Sequence, residues 1–221
     1  MEILVLATAA FVLTHFVSGT PLRTGLVVAM GEWPYRGLYS LVAFVTLGAM
    51  IWAYAATPPG ASLWTPLRLL PLLLMPFAFI LAVAGYWRNP TMVGADKLLK
   101  SDDPARGMIR ITRHPLMWGI MLWAASHILA NPDKPSLVFF GGFLLVGLLG
   151  TISQDRRKAR TSGEDWARFA RLTSHVPFVA VAQGRNRIVW HEIGWLRPAL
   201  GVALFVAFLL VHAWLFGARP Y

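Results

Sequence analysis

Cysteine is absent from the 221 residues, which excludes disulfides, thiolate metal sites and covalent c-type haem attachment. Charge is scarce as well: 14% of residues are Asp, Glu, Lys or Arg against 57% hydrophobic, and mean hydropathy is +0.57. That balance excludes an ordinary soluble globule. The charge present leans one way, with 20 Lys and Arg against 10 Asp and Glu. A net charge of +10 can signal nucleic acid, but no nucleic-acid motif accompanies it. The basic residues instead cluster in a few segments bordering apolar runs, the pattern of cytoplasmic loops on a membrane protein. Membrane lipids are therefore expected as partners, and nucleic acid is not. H-E-x-x-H is missing and no carboxylate lies near the intramembrane histidines, which disfavours zinc.

Six apolar segments stand out, at about residues 2–18, 37–56, 66–85, 115–130, 136–154 and 196–216. Most reach the roughly 17–25 residues a bilayer crossing needs. The sequence thus predicts an all-α, polytopic membrane protein of about six transmembrane helices in one bundle, a single domain over residues 1–221. The start, Met1-Glu2, is acidic where a signal peptide is positive, and no clear cleavage site follows, so the first segment is expected to be a retained span. Asn131-Pro132-Asp133-Lys134-Pro135 predicts a tight hairpin between the fourth and fifth spans, because its prolines cannot continue a helix.

If six spans alternate, 17 of the 20 Lys and Arg residues fall on one face, leaving Arg68, Lys134 and Arg219 for the other. That asymmetry predicts a cytoplasmic basic face, with both termini periplasmic, in a bacterial-type inner membrane. Two long cytoplasmic connections result, residues 86–114 and 155–195. The second contains DRRKARTSGEDWARFARLTSHVPF, which fits a basic amphipathic helix with Trp166 and Phe169 on one side. Two roles suit it and are compatible: a surface helix anchored by aromatics and anionic lipid, or a lid over a site.

Ionisable residues inside a span are costly and mark functional candidates. His15 lies near the end of span one, His127 in span four and His212 near the end of span six; His114 is at a boundary, and His175 and His191 fall in or beside the loops. His15 and His127 are either packing histidines bonded to carbonyls or ligands. Leu116, Gly119, Ile120, Trp123 and His127 share one helix face, and Gly119 lets a flat ligand or another helix come close. Such a wall suits haem. Two neutral imidazoles from separate helices are a common way to hold b-type haem in an apolar pocket. His114 opens its helix with Arg113 beside it and Pro115 at the first helical position, where the positive dipole end attracts anions. Arg110 and Arg113 suit propionates, phosphates or a carboxylate; a basic interfacial cap is the plainer role. His212 fits an interface position beside Trp214. His175 and His191 have no role legible in the sequence.

The context Thr14-His15, the run Arg110-Ile111-Thr112-Arg113-His114-Pro115, Trp118-Gly119, Trp123, His127, Asn131 and Asp155-Arg156-Arg157-Lys158 together resemble the NnrU family of bacterial membrane proteins, associated with denitrification and related to a plant haem-dependent carotene isomerase. The resemblance covers nearly the whole chain. It implies haem b held by His15 and His127, with His114 as the alternative iron ligand and Arg110, Arg113, Trp123 and Gly119 around the cofactor. His127 lies about 18 Å along its helix from Pro115 at 1.5 Å per residue, so His114 is the nearer match to His15 in depth. A further histidine of the isomerase has no counterpart, since the residues around Val146 are apolar or glycine. The implied function is redox or cis-trans isomerase chemistry on a lipophilic or small substrate, linked to denitrification.

A second resemblance stands beside it. R-H-P-x-x-x-G followed by G-E-x-W-x-x-F (Gly163 to Phe169) is similar to membrane methyltransferases of the isoprenylcysteine carboxyl and phospholipid type, which bind S-adenosylmethionine at the cytoplasmic face. Gln154-Asp155 stands where those enzymes carry Glu-Glu. It implies a cofactor pocket around Arg113, His114, Asp155 and Trp166. A third reading is a non-enzymatic factor for assembly of nitrogen-oxide reductases. Whether the protein is an enzyme, and its oligomeric state, are not legible at this level.

Overall fold

The computed structural model describes residues 1–218 and 220, and among these all regular structure is helical. The helices are α1 (Glu2–Phe16), α2 (Pro21–Met30), α3 (Glu32–Ala55), α4 (Leu69–Ala84), α5 (Pro115–Ala130), α6 (Lys134–Leu172), α7 (Val179–Ala182), α8 (Trp190–Ile193) and α9 (Leu196–Phe216). Four helical stretches are long and apolar enough to cross a membrane: Glu2–Gly19, α3, α6 and α9. The apolar helices α4 and α5 have 16 residues each, about 24 Å, short of the roughly 30 Å hydrocarbon core. Among the described residues the expected all-helical class is therefore present, with four rather than six helices of membrane-crossing length.

The chain sorts into two compact units. The first comprises Met1–Leu67 and Ala124–Ser153. Here α1 and α3 pack together, and α6 meets them at Gly142, where a side-chain carbon would lie 2.6 Å from Thr8 Cγ2. The missing side chain is what lets the helices approach. Tyr54 of α3 stacks on Phe139 at 4.3 Å and shares a 2.8 Å hydrogen bond with Ser136. The expected hairpin is formed: the Ser136 amide donates to Asp133 Oδ1 at 2.9 Å, an N-cap for α6. The Leu63 and Leu67 amides donate to the carbonyls of Pro132 and Leu129 and so pin the α3–α4 connection to that turn.

The second unit comprises Arg68–Trp123 and Gln154–Tyr221. In it α4 packs against both α9 and α5. Gly201 lies 2.8 Å from the Ile80 Cα, and Gly119 lies 2.6 Å from the Ala78 carbonyl oxygen, each measured from where a side-chain carbon would begin. Residues 86–114 and 155–195 belong to this unit as well. Two features differ from the sequence expectation. First, the fifth apolar segment and the basic segment after it are joined in one helix, α6, which runs on to Leu172 and is broken at Gly163, whose φ of +47° suits glycine. Second, Trp166 and Phe169 are buried with Leu99, Ala105 and Ile109. The aromatic side of the basic segment covers the 86–114 connection, so these two rings do not serve as lipid anchors. Arg168 reinforces that contact by donating to the Leu99 and Ser101 carbonyls, each at 2.7 Å, and Lys158 pairs with Asp96.

Candidate functional site

Of the residues singled out from sequence, the first unit holds His15 and His127. His15 sits in the last turn of α1, where its Nδ1 lies 2.7 Å from the Phe11 carbonyl oxygen of its own helix. A carbonyl oxygen only accepts, so Nδ1 is the donor in this bond. The His15 ring packs on Phe11 at 4.4 Å and edge-on to Tyr39 at 6.3 Å. His127, on α5, packs on Phe140 at 5.2 Å, with Nδ1 3.4 Å from Ser126 Oγ. Phe11 meets Phe143 at 5.2 Å, and Phe143 and Phe140 both meet Phe139. A continuous run of rings therefore links the two imidazoles. Phe140 and Phe143 are three residues apart on α6, about 4.5 Å along the axis. Two partly buried imidazoles on different helices, joined by an aromatic run, are the residue types from which a b-type haem site is built.

The second unit holds His114, Arg110, Arg113, Gly119 and Trp123. His114 is 2% exposed, and its Nε2 lies 2.7 Å from Asp155 Oδ1. Its Nδ1 is buried without a hydrogen-bond partner among the described residues. Arg113 Nη1 reaches the other oxygen of Asp155 at 3.3 Å, its guanidinium lies 5.9 Å over Trp166, and its Nη2 donates to the Thr173 carbonyl. Burial pushes the Arg113 guanidinium below its ordinary pKa, and Asp155 opposes that shift. Gln154 adds a 2.7 Å bond to the Thr91 carbonyl. Arg113, His114, Asp155 and Trp166 thus converge, but their polar groups are turned largely on one another. For a metal, Nε2 of His114 is already committed to Asp155, which leaves Nδ1, the nitrogen crowded by its own Cβ.

Each residue of the R-I-T-R-H-P run has a structural task. Ile111 accepts from the Phe178 amide, Thr112 donates to the His175 carbonyl at 2.6 Å, and the Arg113 amide donates to the Ser174 carbonyl. Pro115 opens α5 as expected and packs on Gly85. Gly119 is filled by α4 backbone, so the helix occupies the space a flat ligand would need. Trp123 lies one turn further along α5. Arg110 donates to Glu192 at 2.7 and 2.8 Å, to Asn186 at 2.8 Å and to Asp103 at 2.6 Å. An incoming anion at Arg110 has to compete with two carboxylates. The Arg110 bonds, then the Gly107 amide, lower Glu192 to about 2.

Sequence reasoning missed Glu192, Asp103 and His175. Glu192 carried a usable signal, as the single carboxylate side chain after Asp165. His175 packs on His114 at 5.4 Å and on Trp118 at 6.2 Å, and the Trp118 indole donates to its carbonyl at 2.8 Å. Burial lowers the pKa of His175, and His114 and Arg113 lower it further. His212 turns to the Ala218 carbonyl at 2.8 Å, and His191 lies exposed beside Glu192. Among the described residues no cluster of three or more His, Asp or Glu forms a metal-ion site.

The family model described as NnrU protein matches residues 3–220. A chloroplastic 15-cis-zeta-carotene isomerase of Arabidopsis thaliana is 37% identical over 80 residues, which is 36% of this chain and 22% of that protein. The enzyme of the same name from Zea mays is 29% identical over 100 residues, 44% of this chain and 27% of that protein. The matched part is thus about a quarter of the length of these relatives. No solved structure matches the chain.

Proposed function

The chain belongs to the NnrU family, and on that premise we propose that it is a haem-binding membrane protein with isomerase-type or redox chemistry on a lipophilic or small substrate. His15 and His127 hold haem b. The observation that carries this choice is the His15 Nδ1 bond to the Phe11 carbonyl at 2.7 Å, which orients the ring and leaves Nε2 as the nitrogen that would meet the iron. A second-shell bond of this kind is the usual way a ligand imidazole is oriented. Phe11, Phe140 and Phe143 keep water from the two rings, and Tyr39 closes one edge of His15. Bound haem supplies a redox-active iron in an apolar medium. The plant relatives are named as isomerases of 15-cis-zeta-carotene, and cis-trans isomerisation of a lipophilic substrate is the activity we assign here, in the denitrification setting that the family resemblance suggests.

The same reading gives α4 and α5 transmembrane roles beside the four longer helices, six spans in all. Both termini then lie opposite the basic face, in a bacterial inner membrane. Arg113, His114 and Asp155 serve as a scaffold at the basic face, because a cofactor there has to break an ion pair and a histidine–carboxylate bond.

The test is the visible spectrum of the purified full chain, oxidised and reduced, after expression with ample haem. A Soret band is expected, shifted or lost in His15→Ala and His127→Ala and retained in His114→Ala. A colourless wild-type protein ends the haem reading in favour of a non-enzymatic factor. Calorimetric binding of S-adenosylmethionine by that colourless protein, lost in His114→Ala, selects the methyltransferase reading.

A further inference from the structure

In the second unit, the C-terminal end of α4 and the N-terminal end of α9 flank a pocket of about 220 Å³ whose lining includes Trp87, Arg88, Arg106, His191, Glu192 and Arg197. Three guanidiniums meet a single carboxylate there, and that carboxylate, Glu192, already accepts two bonds from Arg110 and one from the Gly107 amide. Arg106 stands 3.7 Å from Glu192. Arg88 and Arg197 have no acidic partner among the described residues; Arg197 lies 5.7 Å over the Trp87 ring instead. Arg88 also has a φ of +49°, a conformation that a non-glycine residue adopts at a cost. Pocket and charge together call for an anion.

The surroundings say which kind. Tyr86, Trp87, Trp190 and Trp195 are all exposed in the segments that frame the pocket, the residue types that settle at the headgroup level of a bilayer. From the pocket mouth, Leu196, Leu200 and Leu204 descend α9 at four-residue spacing, all exposed, and so share one helix face. An arginine-lined pocket at headgroup level that opens onto an apolar helix face matches a molecule with a phosphate at one end and an acyl chain at the other. A soluble anion uses the first feature and has no use for the second.

We infer that the Arg88–Arg106–Arg197 pocket binds the phosphate of an anionic phospholipid, with an acyl chain along the Leu196–Leu200–Leu204 face of α9. The site is independent of the haem reading and stands or falls separately. It also moves the anion-binding role from Arg110 and Arg113, whose charges are met internally, to arginines the R-H-P motif does not contain.

Native mass spectrometry of the full chain in detergent tests it, with phosphatidylglycerol, phosphatidylcholine or inorganic phosphate titrated in separate arms. One bound phosphatidylglycerol is expected at concentrations where phosphatidylcholine and phosphate leave the protein bare. Each basic residue near a headgroup contributes enough that its loss weakens binding about fivefold. Arg88→Ala and Arg197→Ala are thus each expected to lower occupancy by that factor, the double variant by their product, and Arg88→Lys to retain most of it. Arg156→Ala with Arg160→Ala, on the exposed side of α6, is expected to change nothing. Equal binding of the two lipids overturns the inference, as does retention of phosphatidylglycerol by an Arg88→Ala, Arg197→Ala variant with wild-type circular dichroism. Saturation by inorganic phosphate with no lipid preference overturns the lipid assignment.

Discussion

Glu192 accepts from Arg110 twice and from the Gly107 amide once, and this company holds its carboxyl at about 2 rather than the ordinary 4.5. A depressed carboxyl contributes stability that is present above its unfolded pKa and lost as pH falls through the folded one. The Glu192 contribution is therefore complete above pH 4.5 and fades between 4.5 and about 2. Glu192 and Arg110 side chains are only 8% and 13% exposed, so removing either leaves a poorly solvated charge. Glu192→Gln is expected to lose about 3 kcal/mol at neutral pH, read from melts in detergent, with the gap to wild type narrowing below pH 4.5. A neutral-pH melt identical to wild type would contradict this account of the network. His175 is cationic only when protonated, yet it gives the same direction of pH dependence. Burial, aided by His114 and Arg113, lowers its pKa from 6.5, so below that value the unfolded chain takes up a proton more readily than the folded one. Stability is expected to fall as pH drops below 6.5, and His175→Gln to flatten that slope, since glutamine takes up no proton. In the sequence Glu192 was visible only as an isolated carboxylate and His175 only as a histidine without a role. The partners of Glu192 lie 82 residues away at Arg110, and the indole of Trp118 reaches His175 across 57; no local pattern encodes such pairings.

The helices were legible where local chemistry decides them. Pro115 opens α5, Asp133 caps α6, Pro132 lies in the turn between them, and Pro135 sits in the first turn of α6. What local chemistry does not contain is the object a face packs against. The spacing of Trp166 and Phe169 revealed an apolar side, but not that Leu99, Ala105 and Ile109 cover it. Gly119 was similarly ambiguous between a ligand wall and a helix crossing, and the Ala78 carbonyl 2.6 Å away decides for the crossing. Backbone is the neighbour least able to give way. Gly119→Val is accordingly expected to force α4 and α5 apart at a cost of about 1–3 kcal/mol, seen as a lower melting temperature and a smaller folded yield. Gly150 of α6 is the control, because no atom lies within 4 Å of the carbon that alanine would add. Gly150→Ala is expected to be neutral or to stabilise by up to about 1 kcal/mol through helix propensity. If both substitutions behave alike, packing at Gly119 is not what the glycine provides.

Across the whole chain the open question is whether α4 and α5, at 16 residues each, cross the membrane as the four longer helices can. Charge supplies the argument for crossing: alternation over six spans puts 17 of 20 basic residues on one face, and cytoplasmic loops carry such an excess. If α4 and α5 dipped in and returned without crossing, residues 57–68, 85–114 and 131–133 would share one side, and the segregation would be lost. The absence of native cysteine makes the alternatives directly separable, since any introduced thiol is the only one. Ser62→Cys, Val93→Cys, Lys134→Cys and Arg160→Cys each place a reporter at an exposed position, in order before α4, between α4 and α5, at the start of α6 and well along it. With a membrane-impermeant maleimide on intact cells whose outer membrane has been opened, Ser62→Cys and Lys134→Cys are expected to react. Val93→Cys and Arg160→Cys are expected to react only after the inner membrane is permeabilised. Labelling of Val93→Cys from outside while Arg160→Cys stays protected would mean that α4 and α5 do not span. Labelling of Arg160→Cys from outside together with protection of Ser62→Cys would invert the molecule, putting the His114–Asp155 cluster and the Arg88–Arg106–Arg197 pocket on the opposite face.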